Sequence, residues 1–131
     1  MSFASRNVSS PHKISLKTNW KVHGRIELDE LNRREFVACR SFHRPSGLSN
    51  SQVIHFCLEP VVADLHVLIN GLSRTLIVIG GLATVPITNM LDSINRVELR
   101  WSGDPMATPQ LFEHFSAWLE ISDDLLNNPL P

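Results

Sequence analysis

Residues 65 to 79 read LHVLINGLSRTLIVI, in which an Asn-Gly pair separates two runs rich in aliphatic and β-branched residues. Asn-Gly is the dipeptide that most readily supplies two successive residues with positive φ, as a type I′ turn requires. With Asn70 and Gly71 as the loop, Ile69 faces Leu72, and the pairing continues outward to residues 65 and 76. Both faces of this hairpin are largely apolar, so we predict that it lies at the centre of a sheet covered on both sides.

The length and composition of the chain indicate one domain. With 131 residues, of which 43% are hydrophobic, it is long enough to bury one core. We divide it into a polar N-terminal arm, residues 1–12, and a single β-rich domain, residues 13–131. The sequence has no apolar run of the roughly 18 residues that a membrane span needs, and its N-terminus lacks the apolar segment of a secretory signal. We therefore expect a cytoplasmic, intracellular protein.

Alternation of polar and apolar residues over 13–22 predicts one strand with a basic outer face. Lysines recur there at every fourth residue, about 13 Å apart along a strand, and an arginine continues the series beyond a turn. We name this set the basic stripe: Lys13, Lys17, Lys21 and Arg25. Such a stripe can bind an anionic polymer. The alternative is that its lysines only protect an edge strand from aggregation.

Two strands, residues 35–42 and 53–58, are predicted to pair around the intervening polar loop. A helix over residues 29–42 competes with the first of them. The pairing places Cys39 opposite Cys57 and puts both on one face with His55, which makes these three residues the candidate metal ligands. We expect two free thiols and no metal site, because four ligands of one zinc ion cannot converge from this spacing; a metal site and a cross-strand disulfide are the alternatives.

Three further segments follow the hairpin. Gly80 and Gly81 predict a second turn before a short strand over residues 82–85, and residues 87–94 have the spacing of a short amphipathic helix. Residues 96–101 alternate strictly, which indicates a strand near the sheet edge with one charged face.

The C-terminal part predicts an amphipathic helix over about residues 109–121. Thr108 followed by Pro109 is a typical helix start. The apolar stripe of this helix would pack on the sheet or mediate self-association, and it comprises Leu111, Phe112, Phe115, Trp118 and Leu119. The predicted fold class is therefore α+β: a mostly antiparallel sheet with a central Asn-Gly hairpin and this helix packed on it.

Two resemblances rest on the order of these elements. Residues 14–121, several strands followed by a helix with a central Trp, resemble the pleckstrin-homology architecture, whose members bind lipid head groups or peptides. The face of residues 13–22, together with residues 108–126, resembles the coat proteins of small RNA phages, which dimerise and bind RNA on a sheet. No residue-by-residue match to either family is found.

The functional expectation is a non-enzymatic module that self-associates, because the sequence has no phosphate-binding loop, nucleophile elbow or zinc-protease motif. We expect a homodimer or larger homo-oligomer without a cofactor. Its basic stripe would bind an anionic polymer, such as RNA or another nucleic acid, or a protein partner. The alternatives are a pleckstrin-homology-like ligand-binding module and a small Cys/His metal-dependent protein.

Overall fold

The computed structural model describes residues 12–28, 34–62, 64–103 and 115–123. In this part of the chain ten strands form two antiparallel sheets of five strands each. The strands are β1 (His12–Ser15), β2 (Lys21–Leu28), β3 (Arg34–His43), β4 (Gln52–Glu59), β5 (His66–Ile69), β6 (Leu72–Arg74), β7 (Ile77–Ile79), β8 (Leu82–Pro86), β9 (Ile94–Gly103) and β10 (Ser116–Asp123). The first sheet has the order β1-β10-β4-β8-β7 and the second β2-β3-β9-β5-β6.

The two sheets pack face to face around one core. Alternate residues of each inner strand point inward and are buried. The first sheet contributes Ile54, Phe56, Leu58, Val85 and Leu119, and the second contributes Phe36, Val67, Ile69, Val97, Leu99 and Trp101. The protein is therefore a β-sandwich, and the residues between these positions form two outer faces.

The predicted class α+β is wrong, because the described residues contain no α-helix. Residues 116–121 of the predicted C-terminal helix lie in β10, which pairs with β1 on one side and β4 on the other. The physical reason is a period of two: Ala117 and Leu119 point into the core, while Trp118 between them points outward. Residues 109–114 of the predicted helix lie outside the described residues.

The Asn-Gly turn is confirmed, but its predicted central position is wrong. Asn70 and Gly71 have φ of 50° and 83°, and Ile69 pairs with Leu72 as expected. The pairing of β5 with β6 ends at Val67 opposite Arg74, because β5 begins at His66. After Arg74 the chain leaves β5 and crosses to the first sheet. Strands β6 and β7 are thus the exposed edges of two different sheets.

The remaining predictions for this half of the chain are mixed. Gly80 and Gly81 form the second turn, with positive φ at both, and β8 follows as predicted. The predicted helix over residues 87–94 shrinks to a single turn of 3₁₀ helix, Thr88–Met90. Strand β9 is confirmed, but it lies at the centre of the second sheet and not near an edge.

The predicted strand over residues 13–22 is wrong as a single element. Strand β1 ends at Ser15 in the first sheet, and β2 begins at Lys21 in the second. Between them the buried Leu16 donates its N–H to the Ala117 carbonyl at 2.8 Å, and Asn19 adopts φ of 68°. Trp20 packs edge-on against Phe115 at a centroid distance of 5.4 Å. This crossing segment divides the basic stripe.

The strands predicted over residues 35–42 and 53–58 are confirmed as β3 and β4, so the competing helix is wrong over residues 34–42. Their predicted pairing is also wrong. Strand β3 pairs with β2 and β9, and β4 pairs with β10 and β8. Among the described residues, no helix is long and apolar enough to cross a membrane.

Candidate functional site

The structure distributes the basic stripe over both sheets. Lys13 lies in β1 of the first sheet, and Lys17 follows it in the crossing segment. Lys21 begins β2 of the second sheet, where Arg25 also has its position in the strand. The four residues therefore do not form one row, and each outer face has to be considered separately.

A cleft of about 350 Å³ opens at one end of the outer face of the second sheet. We name it the basic cleft, and it is lined by Asn19, Lys21, Cys39, Arg40, Ser41 and Arg96. The strand register explains the grouping, because Lys21 is the neighbour of Cys39, and Ser41 is the neighbour of Arg96. Three cations from three strands thus converge on one concave surface.

Arg40 is the member of the basic cleft that the sequence pattern concealed. It has the same parity in β3 as the buried residues Phe36, Ala38 and Phe42, so alternation alone places it in the core. Its guanidinium instead donates to the carbonyl of Thr18 in the crossing segment. Burial lowers the pKa of Arg40 from its ordinary value, and none of the described residues supplies a carboxylate to it.

The two arginines of β9 pair with a glutamate of the same strand. Glu98 lies between Arg96 and Arg100 on β9 and pairs with both, at 3.3 Å and 2.8 Å. One carboxylate therefore serves two guanidiniums, and the Arg96 side chain remains 60% exposed. The alternation that predicted a charged face on this strand was the sequence signal for Arg96.

The outer face of the first sheet carries a second cleft, of about 340 Å³. We name it the tryptophan cleft, and it is lined by Lys13, Ser15, Lys17, Glu59, Ser116, Ala117 and Trp118. The Lys13 ammonium lies 5.2 Å from the centre of the Trp118 ring. The indole Nε1 donates to Glu120 Oε2 at 3.1 Å, which fixes the orientation of the ring.

The candidate metal ligands do not come together. Cys39 lies on the second sheet, and His55 and Cys57 lie on the first; both cysteines are free thiols. No group of three His, Cys, Asp or Glu side chains in the described ranges is placed to hold a metal ion. The Cys57 thiol contacts Glu120 Oε2 at 3.7 Å, and burial, with the nearby Glu120 charge, raises the pKa of Cys57 to about 12.

The predicted self-association stripe is dispersed as well. Phe115 and Leu119 are buried in the core, and Trp118 lies on the outer face. Leu111 and Phe112 lie outside the described residues. The exposed large aliphatic side chains occur elsewhere, above all along the edge strand β7 (Ile77, Val78 and Ile79).

A third cleft, of about 500 Å³, lies on the outer face of the second sheet. Its lining mixes acids and bases: Glu35, Asp64, His66, Leu68, Ser73, Arg100, Trp101 and Ser102. Its two carboxylates outnumber its one arginine, and the Trp101 ring in its lining is buried in the core. We therefore assign no ligand to this cleft.

Comparison with known proteins supports the fold only. No protein-family model matches the chain, and no curated protein is similar to it in sequence. Among solved structures it is similar to a crystal structure of an FMN-binding β-glucuronidase from Facaelibacterium prausnitzii L2-6, with a TM-score of 0.63 and 16% identity. The likeness covers 88% of this chain and 23% of the enzyme chain, so this chain shares its β-sandwich architecture with a minor part of a larger enzyme.

Proposed function

We propose that this protein is a non-enzymatic β-sandwich module that binds an anionic polymer through the basic cleft. The observation that carries the proposal is the convergence of Lys21, Arg40 and Arg96 on one cleft. Of these three, only Arg96 pairs with a carboxylate of the described residues, and it shares that carboxylate with Arg100. An anion supplies the missing counter-charge.

The chemistry of the cleft favours a phosphate group. Arg96 and Lys21 can neutralise it, while the Ser41 hydroxyl and the Asn19 side chain offer hydrogen bonds. Burial disfavours the charged form of the Arg40 guanidinium, as its lowered pKa shows. A bound anion would stabilise that charge and offset the cost of its desolvation.

A polymer is favoured over a single ion because β9 carries a second arginine beyond the basic cleft, Arg100, which shares Glu98 with Arg96 and lines the third cleft. Arg100 lies four residues beyond Arg96 on the same outer face, about 13 Å away at the usual rise of a strand. A chain of phosphates can meet both positions, whereas one phosphate cannot. We therefore take single-stranded nucleic acid as the polymer to test.

The test is fluorescence anisotropy with a labelled oligothymidylate of about twenty nucleotides, long enough to cover a typical single-strand site, at several NaCl concentrations. We expect the double variant Lys21→Glu, Arg96→Glu to bind roughly tenfold or more weakly. The slope of log affinity against log salt should also become shallower, by about 0.7 for each phosphate that the variant no longer neutralises.

The matched control is Lys13→Glu, Lys17→Glu, which makes the same change of charge on the first sheet. It should alter the affinity by less than about twofold at the higher salt concentrations, because charges farther apart than the Debye length are screened. Equal reductions in the two double variants would mean that net charge, and not the basic cleft, governs binding, and the proposal would be wrong.

We further propose that the protein self-associates through β7. Among the described strands β7 has one neighbour, β8, so its other side is an open edge. Its side chains are about half to three-quarters exposed, with Ile79 at 72%, and none of them is the charged or proline residue that commonly protects an edge.

The occupant that fits this edge is a second copy of the chain. The triplet Ile-Val-Ile is symmetric about Val78, so antiparallel pairing of two β7 strands puts Val78 opposite Val78 and Ile77 opposite Ile79. In the two-residue hairpin, Ile79 pairs with Leu82. Because hydrogen bonding alternates along such a ladder, the N–H and C=O of Val78 point to the open edge.

Size-exclusion chromatography with light scattering tests this second proposal between about 10 and 200 μM, a range in which dimers of roughly micromolar affinity remain associated. We expect a dimer that Ile79→Lys converts to a monomer. The control is Ile94→Lys, which places the same charge at another exposed aliphatic residue and should leave the dimer intact. A wild-type monomer at the highest concentration would refute the proposal.

A further inference from the structure

Trp118 has an unusual position among the aromatic residues. The other Phe and Trp side chains of the described ranges belong to the core or pack against it. Trp118 alone lies on an outer face, between Ser15 of β1 and Cys57 of β4. Its indole is only half-buried there, so part of a large aromatic surface is available in the tryptophan cleft.

The indole is held in place from the side. Its Nε1 donates to Glu120 Oε2 at 3.1 Å, and the same carboxylate oxygen lies 3.7 Å from the Cys57 thiol. Glu120 is itself half-buried in the sheet between Lys13 and His55. The ring is therefore oriented before any ligand arrives, and binding does not have to order it.

The groups around the ring are hydroxyls and charges of both signs. Ser15 and Ser116 supply the hydroxyls, Glu59 a carboxylate, and Lys13 and Lys17 the ammonium groups. This composition differs from that of the basic cleft, whose lining contains no carboxylate among the described residues. A ligand that suits it has an apolar face for stacking and a rim of groups that both donate and accept hydrogen bonds.

A pyranose ring has this combination, since its C–H groups form an apolar face and its hydroxyls form the rim. The two lysines favour a sugar with a carboxylate, and the Glu59 carboxylate can accept hydrogen bonds from hydroxyls without repelling them. At about 340 Å³ the cleft lies within the range of small-molecule sites, roughly 300–1,000 Å³.

We infer that the tryptophan cleft binds a hexuronate, with the pyranose ring stacked on Trp118 and the carboxylate bound by Lys13 or Lys17. The Lys13 ammonium now over the ring is exchanged for the sugar and moves to its carboxylate; an exposed cation–π contact of this kind is weak. No residue of the basic cleft takes part, so this inference is independent of the proposed nucleic-acid binding.

The test is a titration of the ¹⁵N-labelled full chain with D-galacturonate, D-galactose and acetate, followed by the Trp indole N–H signals in NMR spectra. The signal that Trp118→Phe removes belongs to Trp118. We expect galacturonate to shift this signal saturably while the Trp101 signal stays unchanged, because Trp101 is buried in the core. Galactose should bind several-fold more weakly, and acetate should not shift the signal.

Variants separate stacking from charge. Trp118→Leu should weaken galacturonate binding roughly tenfold, as judged by the effect of removing an aromatic stacking platform, and Trp118→Phe should retain part of it. Because Trp118→Leu lacks the reporter, its affinity is measured by calorimetry. Lys13→Met with Lys17→Met should reduce galacturonate to the affinity of galactose, whereas Lys21→Met, on the other sheet, should change nothing. No saturable shift, an equal shift with acetate, or equal affinities for the two sugars in the wild type would each overturn the inference.

Discussion

The basic cleft on the second sheet and the tryptophan cleft on the first are built on similar backbone and differ in surface chemistry. On the second sheet, the basic cleft is lined by three cations and by no carboxylate of the described residues. On the first, an aromatic ring lies among hydroxyls and charges of both signs. The difference comes from the residues of outward parity, because the inward residues of both sheets are apolar and build one core. A β-sandwich thus offers two independent surfaces, and each can be altered without the other.

The largest effect should come from the core that both faces share. Phe56 is fully buried on the inner side of β4, with its ring 6.4 Å from that of Trp20. We expect Phe56→Ala to lower the free energy of unfolding by about 3–5 kcal/mol, because it leaves a cavity between the sheets. Urea denaturation measures this change.

The matched control for the core is the preceding residue of the same strand, His55, which points outward. His55→Ala should change the free energy of unfolding by no more than about 0.5 kcal/mol. Similar changes at the two positions would contradict the division of β4 into an inner and an outer side.

Each outer face carries one cysteine, Cys39 on the second sheet and Cys57 on the first. Burial and the Glu120 charge raise the pKa of Cys57 from 9.0 to about 12, which lowers its thiolate fraction at about pH 8 by roughly a thousandfold. Cys39, half-exposed in the basic cleft, should therefore react with iodoacetamide at least about a hundredfold faster than Cys57. Peptide mass spectrometry identifies the labelled residue.

The stability of the folded protein should depend on pH through Cys57. A thiol whose pKa is higher in the folded protein than in the unfolded chain contributes stability below its ordinary pKa of 9.0, and that contribution disappears as the pH rises toward about 12. The free energy of unfolding should fall across this window, and Cys57→Ser should flatten the fall. Glu120→Gln should lower the pKa of Cys57 and speed its labelling; an unchanged rate would refute the role of Glu120.

A smaller effect is expected from the charge balance of the second sheet. Glu98→Gln releases Arg96 and Arg100, so oligothymidylate affinity should rise by about two- to fivefold, the range of an exposed ion pair. Anisotropy measures the gain. Glu59→Gln removes the same charge from the tryptophan cleft and should leave the affinity unchanged; a gain of equal size there would contradict the separation of the two faces.

The smallest effect concerns Lys13 and the free protein. Lys13→Met removes the cation over Trp118 but keeps most of the aliphatic side chain. We expect the free energy of unfolding to fall by less than about 1 kcal/mol, as for other exposed cation–π pairs. Urea denaturation tests this, with Lys17→Met as the control. A decrease of several kcal/mol would mean that this cation–π pair maintains the fold, and Trp118 would then be a structural residue.

The sequence predicted local geometry better than it predicted the sheets. Alternation identified β9, residue types that suit a sheet identified β3 and β4, and the Asn-Gly and Gly-Gly pairs identified two turns, because these signals depend on neighbours a few residues apart. The same reasoning misread residues 115–121, where Phe115, Ala117 and Leu119 alternate with polar residues and Trp118. A surface Trp made the alternation resemble the wide apolar stripe of a helix.

The candidate site shows the same limit. The sequence predicted Lys21 as an anion-binding residue and placed Arg96 on a charged strand face. It did not indicate that the two lie close together, because they are far apart along the chain. They are brought together by β3, which lies between their strands. Arg40 was not identified as a surface cation, because its place in the alternation of β3 is that of a core residue. It reaches the surface only because β2 begins opposite Cys39 and leaves the end of β3 open toward the crossing segment.

Reasoning from the sequence located the strands β3, β4, β8 and β9 and the reversals at Asn70-Gly71 and Gly80-Gly81, because side-chain pattern and positive φ are properties of consecutive residues. Only the tertiary structure decided which sheet each strand joins, and hence which charges share a face. The decisive cases are the crossings at residues 16–20 and 75–76. At each of these crossings the chain passes from one sheet to the other, so that the apolar side chains of both sheets share one core. The free energy of that burial depends on strands that are distant in the sequence.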